Sequence, residues 1–154
     1  MSIERVRKYL EQYHKENEIL EFDVSSATVE LAAQALQTKP EYIAKTMSFL
    51  VNEQPILIVT AGNMKIDNAK YKHYFHKKAK MIPYQDVETI IGHKAGGVCP
   101  FGINEGIEVY LDVSLKQYEY VYPACGSSYS AIRLTILELE QLSNYKEWID
   151  VCKC

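Results

Sequence analysis

The sequence lacks any apolar run that approaches the ~20 residues a membrane-spanning helix needs, and its first residues lack the apolar core of a secretory signal peptide. These absences predict a cytoplasmic protein that does not contact a membrane. The sequence also lacks an excess of positive charge, since 17 lysines and arginines against 20 acidic residues leave a net charge of −3. That balance argues against a protein that coats nucleic acid without specificity, because such binding depends on many basic contacts to phosphates.

Cysteine is scarce, and the four that occur are Cys99, Cys125, Cys152 and Cys154. In a reducing compartment they are expected to be thiols and not disulfides. A zinc site is not predicted, because Cys152 and Cys154 are separated by one residue where such sites use two to four. The HExxH, GxGxxG and GxxxxGK[ST] patterns are absent as well. We therefore expect neither a metal nor a cofactor.

The residue patterns that are present predict one α+β domain over residues 1–154. Apolar residues at helical spacing and alternating apolar residues occur in turn along the chain. The predicted helices cover 2–13, 29–37, 67–75, 84–91 and 135–142, and the predicted strands cover 18–24, 45–51, 56–61, 107–113, 118–122, 131–134 and 148–151. Short turns between strands favour a largely antiparallel or mixed sheet.

The hairpin predicted from 45–51 and 56–61 carries an unusual lysine. Alternation places Lys45 on the same face as Met47, Phe49 and Val51. The ammonium either extends to solvent at the rim of this apolar face or points into a pocket and holds an anion. The sequence leaves both possibilities open.

Residues 93–102 form a loop, here called the glycine loop, that contains three of the seven glycines, Gly96, Gly97 and Gly102. Glycine tolerates a positive φ and close backbone approach, so the loop could present N–H groups to a phosphate, a carboxylate or an oxyanion. The alternative is a tight connection between two strands. Cys99 is a candidate nucleophile if His93 and Lys94 lower its pKa, and otherwise a small buried thiol.

A basic segment covers residues 65–80, where six lysines and two histidines are opposed by Asp67 alone. The segment is either a solvated helix face or a local surface that contacts phosphates.

Four features occur together in a fixed order. Lys45 lies in a strand that follows a Thr-Val-x-x-Ala-Ala helix starting at Thr28, a Gly-x-x-x-Pro loop runs from Gly96 to Pro100, Phe101-Gly102 follows it, and Gly126-Ser127 comes late. In this order they resemble the YbaK/prolyl-tRNA synthetase-associated editing domain family, over about 19–151. The resemblance implies a rolled, barrel-like, mixed and largely antiparallel β-sheet flanked by helices.

The resemblance also implies a set of site residues. Catalytic roles fall to Lys45, Gly96 and Gly97, with the lysine holding polar or phosphate groups of the substrate and the loop offering backbone N–H groups. Substrate-binding roles fall to Thr46, Val98, Cys99, Pro100, Phe101, Gly126 and Ser127. Gly126 and Ser127 would form the wall opposite the glycine loop, and Cys99 would line the pocket.

The activity implied by the resemblance is that of a trans-acting aminoacyl-tRNA deacylase. Such an enzyme hydrolyses the ester of a mischarged tRNA, here a small amino acid such as cysteine, alanine or serine, on a tRNA such as tRNA-Pro. The partners would be the 3′ aminoacyl end of that tRNA and an aminoacyl-tRNA synthetase, and the protein would be a monomer or a homodimer. The alternative is a non-catalytic binding module of the same fold for an aminoacyl or nucleotide-like ligand, which a closed pocket or an ion-paired Lys45 would favour.

Overall fold

The computed structural model describes residues 2–154, and five α-helices lie within this range. They are α1 (Ser2–Glu11), α2 (Val29–Leu36), α3 (Asn68–Phe75), α4 (Val87–Ile91) and α5 (Ile136–Ser143). Short 3-10 turns cover Glu16–Glu18, Pro40–Tyr42, Tyr84–Asp86 and Val113–Gln117. None of the helices in the described range is long and apolar enough to cross a membrane.

The strands of the described range are mostly short. They are β1 (Leu20–Glu21), β2 (Ile43–Val51), β3 (Gln54–Ala61), β4 (Lys65–Ile66), β5 (Glu108–Asp112), β6 (Tyr120–Pro123), β7 (Ser130–Ala131), β8 (Leu134–Thr135), β9 (Glu147–Ile149) and β10 (Cys152–Lys153). Only β2 and β3 are long, and they form the antiparallel hairpin that the sequence predicts.

Six of the strands form one curled sheet in the order β8-β6-β2-β3-β5-β9. Pairing is parallel for β2 with β6, β3 with β5 and β5 with β9, and antiparallel for the other two pairs. Two further antiparallel pairs, β1 with β7 and β4 with β10, lie outside this sheet. The predicted mixed α+β fold with a rolled sheet is confirmed.

The alternation of β2 places its two faces in different parts of the core. Phe49, with Met47 and Val51 beside it, packs in a cluster that includes Tyr71 of α3. Leu50 packs against the larger cluster on the other face. Strand β3 is buried from Ile56 onward, as the continuous apolar run in the sequence predicts.

Two predicted strands are much shorter in the structure than in the sequence pattern. The predicted strand over 18–24 retains only Leu20–Glu21, and 131–134 is divided into the ends of β7 and β8. Alternation indicates which residues can be extended, but a strand also needs a neighbour along its whole length, and β1 pairs with only two residues of β7.

Candidate functional site

A cavity of about 410 Å³ opens beside β2. Its walls come from residues 26–32 at the start of α2, 43–48 of β2, 81–87, 95–98 of the glycine loop, 122–124 at the end of β6, and β7. Six alanines contribute to a largely apolar lining, namely Ala27, Ala32, Ala44, Ala95, Ala124 and Ala131. The cavity has the size and character of a small-molecule site.

The cavity lies at the edge of β2, beyond the point where β2 stops pairing with β6. Strand β6 pairs with β2 only at Ile43 and Ala44, and further along the same edge Ser48 O accepts from Ile82 N at 3.1 Å. Successive residues of a strand direct their N–H and C=O groups to alternate edges. The backbone polar groups of Thr46 therefore face the cavity.

Lys45 is half-buried in the cavity wall. Its ammonium donates a hydrogen bond to the backbone oxygen of Met64, and no carboxylate within residues 2–154 forms an ion pair with it. Burial lowers the pKa of Lys45 below its usual 10.5, while Cys152 and Glu30 oppose that shift. An ammonium has three donors, so two remain after the bond to Met64.

Two hydroxyls in the cavity lining are buried without a hydrogen-bond partner among the described residues. They are Ser26 Oγ, just before α2, and Thr46 Oγ1 on β2. Buried polar atoms in proteins nearly always have a partner, so unpaired ones in a cavity wall are candidates for binding a ligand.

The two central glycines of the glycine loop lie in different environments. Gly96 lines the cavity with a φ of +95°, and a Cβ added to it would lie 3.3 Å from the Cβ of Ala27. Gly97 does not line the cavity, and its N–H donates to Lys94 O at 3.0 Å within the loop. Of the two predicted N–H donors, that of Gly97 is therefore already bonded.

Gly126 and Ser127 support the glycine loop from behind. Gly126 N donates to Gly97 O at 3.0 Å, and Ser127 Oγ lies 2.8 Å from Ser130 Oγ. Neither Gly126 nor Ser127 lines the cavity, whereas Ser130 does. The expected wall opposite the glycine loop is thus not formed by this pair.

The structure places Cys99, Pro100 and Phe101 away from the cavity, whereas Val98 lines it. The side chains of Cys99 and Phe101 are fully buried in the hydrophobic core, and Pro100 borders a second cavity of about 300 Å³. The structure therefore does not bring these three residues, for which the resemblance implied substrate-binding roles and for Cys99 a lining role, to the cavity. Apolar side chains beside glycines can turn inward, and alternation along a loop does not predict which ones do.

Burial also decides the chemistry of Cys99. It raises the pKa of the Cys99 thiol to about 12, so the thiolate needed for nucleophilic catalysis is rare at neutral pH. His93, considered as an activating cation, is itself fully buried and its pKa lies below 6.5 because of that burial. Its Nε2 donates to Phe101 O at 2.7 Å.

Within residues 2–154 no group of three His, Cys, Asp or Glu side chains is placed to hold a metal ion.

Two residues at the mouth of the cavity are not predicted by any pattern in the sequence. Met81 and Tyr84 line it while 56% and 79% exposed, respectively. Residues 80–82 run beside β2, where Leu50 N donates to Lys80 O at 2.9 Å. An exposed tyrosine is ordinary on its own, so only its position at the cavity distinguishes it.

Comparison with known proteins gives matches that cover most of the chain. The chain is 51% identical to the uncharacterised protein YwhH of Bacillus subtilis strain 168 over 154 residues, which cover 99% of this chain and 98% of that protein. It is 23% identical to a proline–tRNA ligase of Bacillus cytotoxicus over 124 residues, which cover 80% of this chain but 22% of the ligase.

A solved structure and a family model agree with these matches. A protein proposed to be a trans-editing enzyme for prolyl-tRNA synthetase superposes with a TM-score of 0.88 at 27% identity, covering 99% of this chain and 98% of that one. The model of the aminoacyl-tRNA editing domain matches residues 23–142, which include β2, the glycine loop and every segment of the cavity wall. Lys45, the glycine loop and the cavity thus all lie within the residues that the family model matches. The chain belongs to the aminoacyl-tRNA editing domain family.

Proposed function

We propose that this protein, acting as one domain, is a trans-acting deacylase that hydrolyses the ester linking an amino acid to the 3′ end of a mischarged tRNA. The observation that carries the proposal is the open cavity of about 410 Å³ whose wall contains both Lys45 and Gly96. A closed pocket or an ion-paired Lys45 would have favoured the non-catalytic binding module. An apolar cavity with a few polar groups suits a small aminoacyl group attached to a ribose.

The reaction needs no nucleophile from the protein. The oxygen of a water molecule attacks the carbonyl carbon of the ester, and the bond between that carbon and the ribose oxygen breaks. A proton passes to the ribose oxygen, which releases the free amino acid and a tRNA with a free terminal hydroxyl. Donors placed where negative charge develops on the carbonyl oxygen accelerate such a reaction, and one donor is typically worth ~100-fold in rate.

Three groups of the cavity wall are assigned roles in this proposal. The ammonium of Lys45 binds a phosphate or another polar group of the tRNA end with its two remaining donors. The loop backbone at Gly96 and Val98 approaches the ester carbonyl. The unpaired hydroxyls of Ser26 and Thr46 bind the polar groups of the amino acid.

The substrate we propose is tRNA-Pro charged in error with a small amino acid such as alanine, serine or cysteine. Support comes from the similarity to proline–tRNA ligases and to a protein proposed to edit in trans for prolyl-tRNA synthetase. A prolyl-tRNA synthetase is therefore the proposed partner, and the cytoplasm, where tRNA is charged, the proposed site of action. A difference of one methylene gives only about 10- to 200-fold discrimination, so the choice among these amino acids is an experimental question.

The test is deacylation of tRNA-Pro charged with alanine, serine, cysteine or proline by the natural protein and two variants. Lys45→Ala removes the ammonium, and Gly96→Ala adds a Cβ at a positive φ beside Ala27. Lys45→Ala removes a donor and Gly96→Ala displaces the loop N–H groups from the ester carbonyl, so each is expected to reduce the rate by about 100-fold, the scale of one lost donor. Thermal unfolding of each variant shows whether it is folded.

Matched controls separate the site from general effects of the substitutions. Lys8→Ala removes an exposed lysine of α1, and Gly106→Ala adds a Cβ at a φ of +83° with nothing within 4 Å. Both are expected to retain the natural rate. If no charged tRNA is hydrolysed above the uncatalysed rate, or if the site variants match their controls, the binding module is the better account.

A further inference from the structure

The mouth of the cavity combines an exposed aromatic ring with an exposed apolar side chain. Tyr84 is 79% exposed and Met81 is 56% exposed, and both line the cavity, as does Ile82, which lies between them and is buried in the core. Rings this exposed do little for folding. A ring at the entrance of a site is a surface on which a planar group can stack.

Positive charge precedes this mouth in the chain. The basic segment, residues 65–80, ends one residue before Met81, and Lys77 and Lys78 are exposed. No ion pair within residues 2–154 engages these two lysines, whereas Lys80 lies 3.6 Å from Glu53. Beyond Tyr84 the exposed charges are those of Asp86 and Glu88. The exposed charge that precedes Met81 in the chain is therefore positive, and the exposed charge that follows Tyr84 is negative, which favours a polyanion on the side from which the chain reaches Met81.

We propose that Tyr84 and Met81 form a platform for the unpaired 3′ nucleotides of the tRNA, with a base stacked on the Tyr84 ring and the backbone running past Lys77 and Lys78. Proteins bind single-stranded RNA by stacking splayed bases on aromatic rings and by contacting phosphates with basic side chains. The inference rests on the proposed function, because the aminoacyl group in the cavity is attached to this unpaired end. It adds a subsite outside the cavity that holds nucleotides and not the amino acid.

The test measures binding of uncharged tRNA-Pro, labelled with a fluorophore at its 5′ end, to the natural protein and to Tyr84 variants by anisotropy. Tyr84→Ala is expected to weaken binding by about 10-fold, a typical effect of losing one stacked base, while Tyr84→Phe keeps the ring and the affinity. Tyr13→Ala is the control, since Tyr13 is an exposed tyrosine that does not line the cavity. Thermal unfolding of Tyr84→Ala is expected to match that of the natural protein.

A second RNA identifies the end that the ring contacts. On tRNA-Pro lacking its unpaired 3′ nucleotides, the natural protein and Tyr84→Ala are expected to bind with equal affinity. The proposal is overturned if Tyr84→Ala binds the full tRNA as tightly as the natural protein does, or if its loss of affinity is the same on the shortened tRNA.

Deacylation by the natural protein distinguishes this proposal from the proposed function. If no charged tRNA is hydrolysed but binding still depends on Tyr84 and on the 3′ end, the deacylase assignment fails and the platform stands. If hydrolysis occurs and Tyr84→Ala equals the natural protein in both binding and rate, the platform fails and the deacylase assignment stands.

Discussion

Neighbouring residues of the glycine loop contribute to different places, some to the cavity wall and others to the hydrophobic core. Gly96 and Val98 line the cavity, while Cys99 and Phe101, one to three residues further on, are fully buried. His93 supports this arrangement from within, because its Nε2 donates to the carbonyl oxygen of Phe101. Its Nδ1 is buried without a partner among the described residues. A neutral imidazole fits this position, whereas a protonated one would require a buried charge.

The burial of His93 predicts a pH dependence of stability. Its pKa in the folded protein is lowered by burial and, less strongly, by Arg5, whereas in the unfolded chain it is near 6.5. The unfolded chain therefore binds more protons below about pH 6.5, so the free energy of unfolding falls as the pH falls from there toward the folded-state pKa, by at most ~1.4 kcal/mol per pH unit. We expect His93→Gln to show a shallower fall in urea unfolding measured at several pH values.

The control for this prediction is His73→Gln, which replaces an exposed histidine of α3. It is expected to reproduce the pH dependence of the natural protein. Identical slopes for His93→Gln and the natural protein would show that His93 does not contribute to this titration.

At the scale of elements, the site depends on contact between two loops. The loop at 93–102 precedes β5 and the loop at 124–129 follows β6, and they meet where Gly126 N donates to Gly97 O. A Cβ on Gly97 would lie 2.6 Å from Ser127 N and 2.7 Å from Gly126 C. Only glycine allows this approach, because the neighbouring atoms belong to the backbone and cannot move aside by rotating a side chain.

Gly97→Ala is accordingly expected to separate the two loops. We expect the free energy of unfolding to fall by about 1–3 kcal/mol, as for other overpacked sites, and deacylation to slow because Gly96 moves with the loop. Chemical unfolding and the deacylation assay measure the two effects. Gly106→Ala has open space around its added Cβ but a φ of +83°, so its loss of stability measures backbone strain alone, and a loss in Gly97→Ala that is no larger would contradict the role of the loop contact.

At the scale of the whole molecule, charge is distributed unevenly. The net charge is −3, yet residues 65–80 carry six lysines and one aspartate. Part of this charge has structural partners, since Lys70 binds Asp150 and the Cys152 carbonyl. An acidic protein with a local basic surface can bind one end of a tRNA without binding nucleic acid over its whole surface.

This distribution predicts how tRNA binding responds to salt. Replacing Lys77 and Lys78 together by alanine is expected to reduce the slope of log affinity against log salt by roughly 0.7 for each lysine that contacts a phosphate of a single strand. Titrations of uncharged tRNA-Pro at several salt concentrations measure the slope. Replacing the exposed Lys8 and Lys116 instead should leave it unchanged, and equal slopes for both double variants would place the tRNA elsewhere.

The parts of the structure that the sequence predicts correctly are those set by neighbouring residues. The helices predicted over 29–37, 67–75, 84–91 and 135–142 form as α2, α3, α4 and α5. Thr28, Asp67 and Thr135 cap α2, α3 and α5, and Gly92 ends α4 with a φ of +108°. A cap or a turn depends on the conformation of a few adjacent residues, so its signal is local. The β2–β3 hairpin is predicted for the same reason, and with it the position of Lys45 on a face shared with Phe49.

The sequence by itself therefore determined the class of fold, the order of its elements and, through the resemblance, the family and the position of Lys45 and Gly96 in the cavity wall. Only the tertiary structure decided that Cys99 and Phe101 are buried in the core, that Gly97 packs against the loop at Gly126, and that Tyr84 lies at the mouth of the cavity. The physical reason is that burial and close backbone approach arise from residues distant in the chain. A local pattern does not contain the positions of those distant residues.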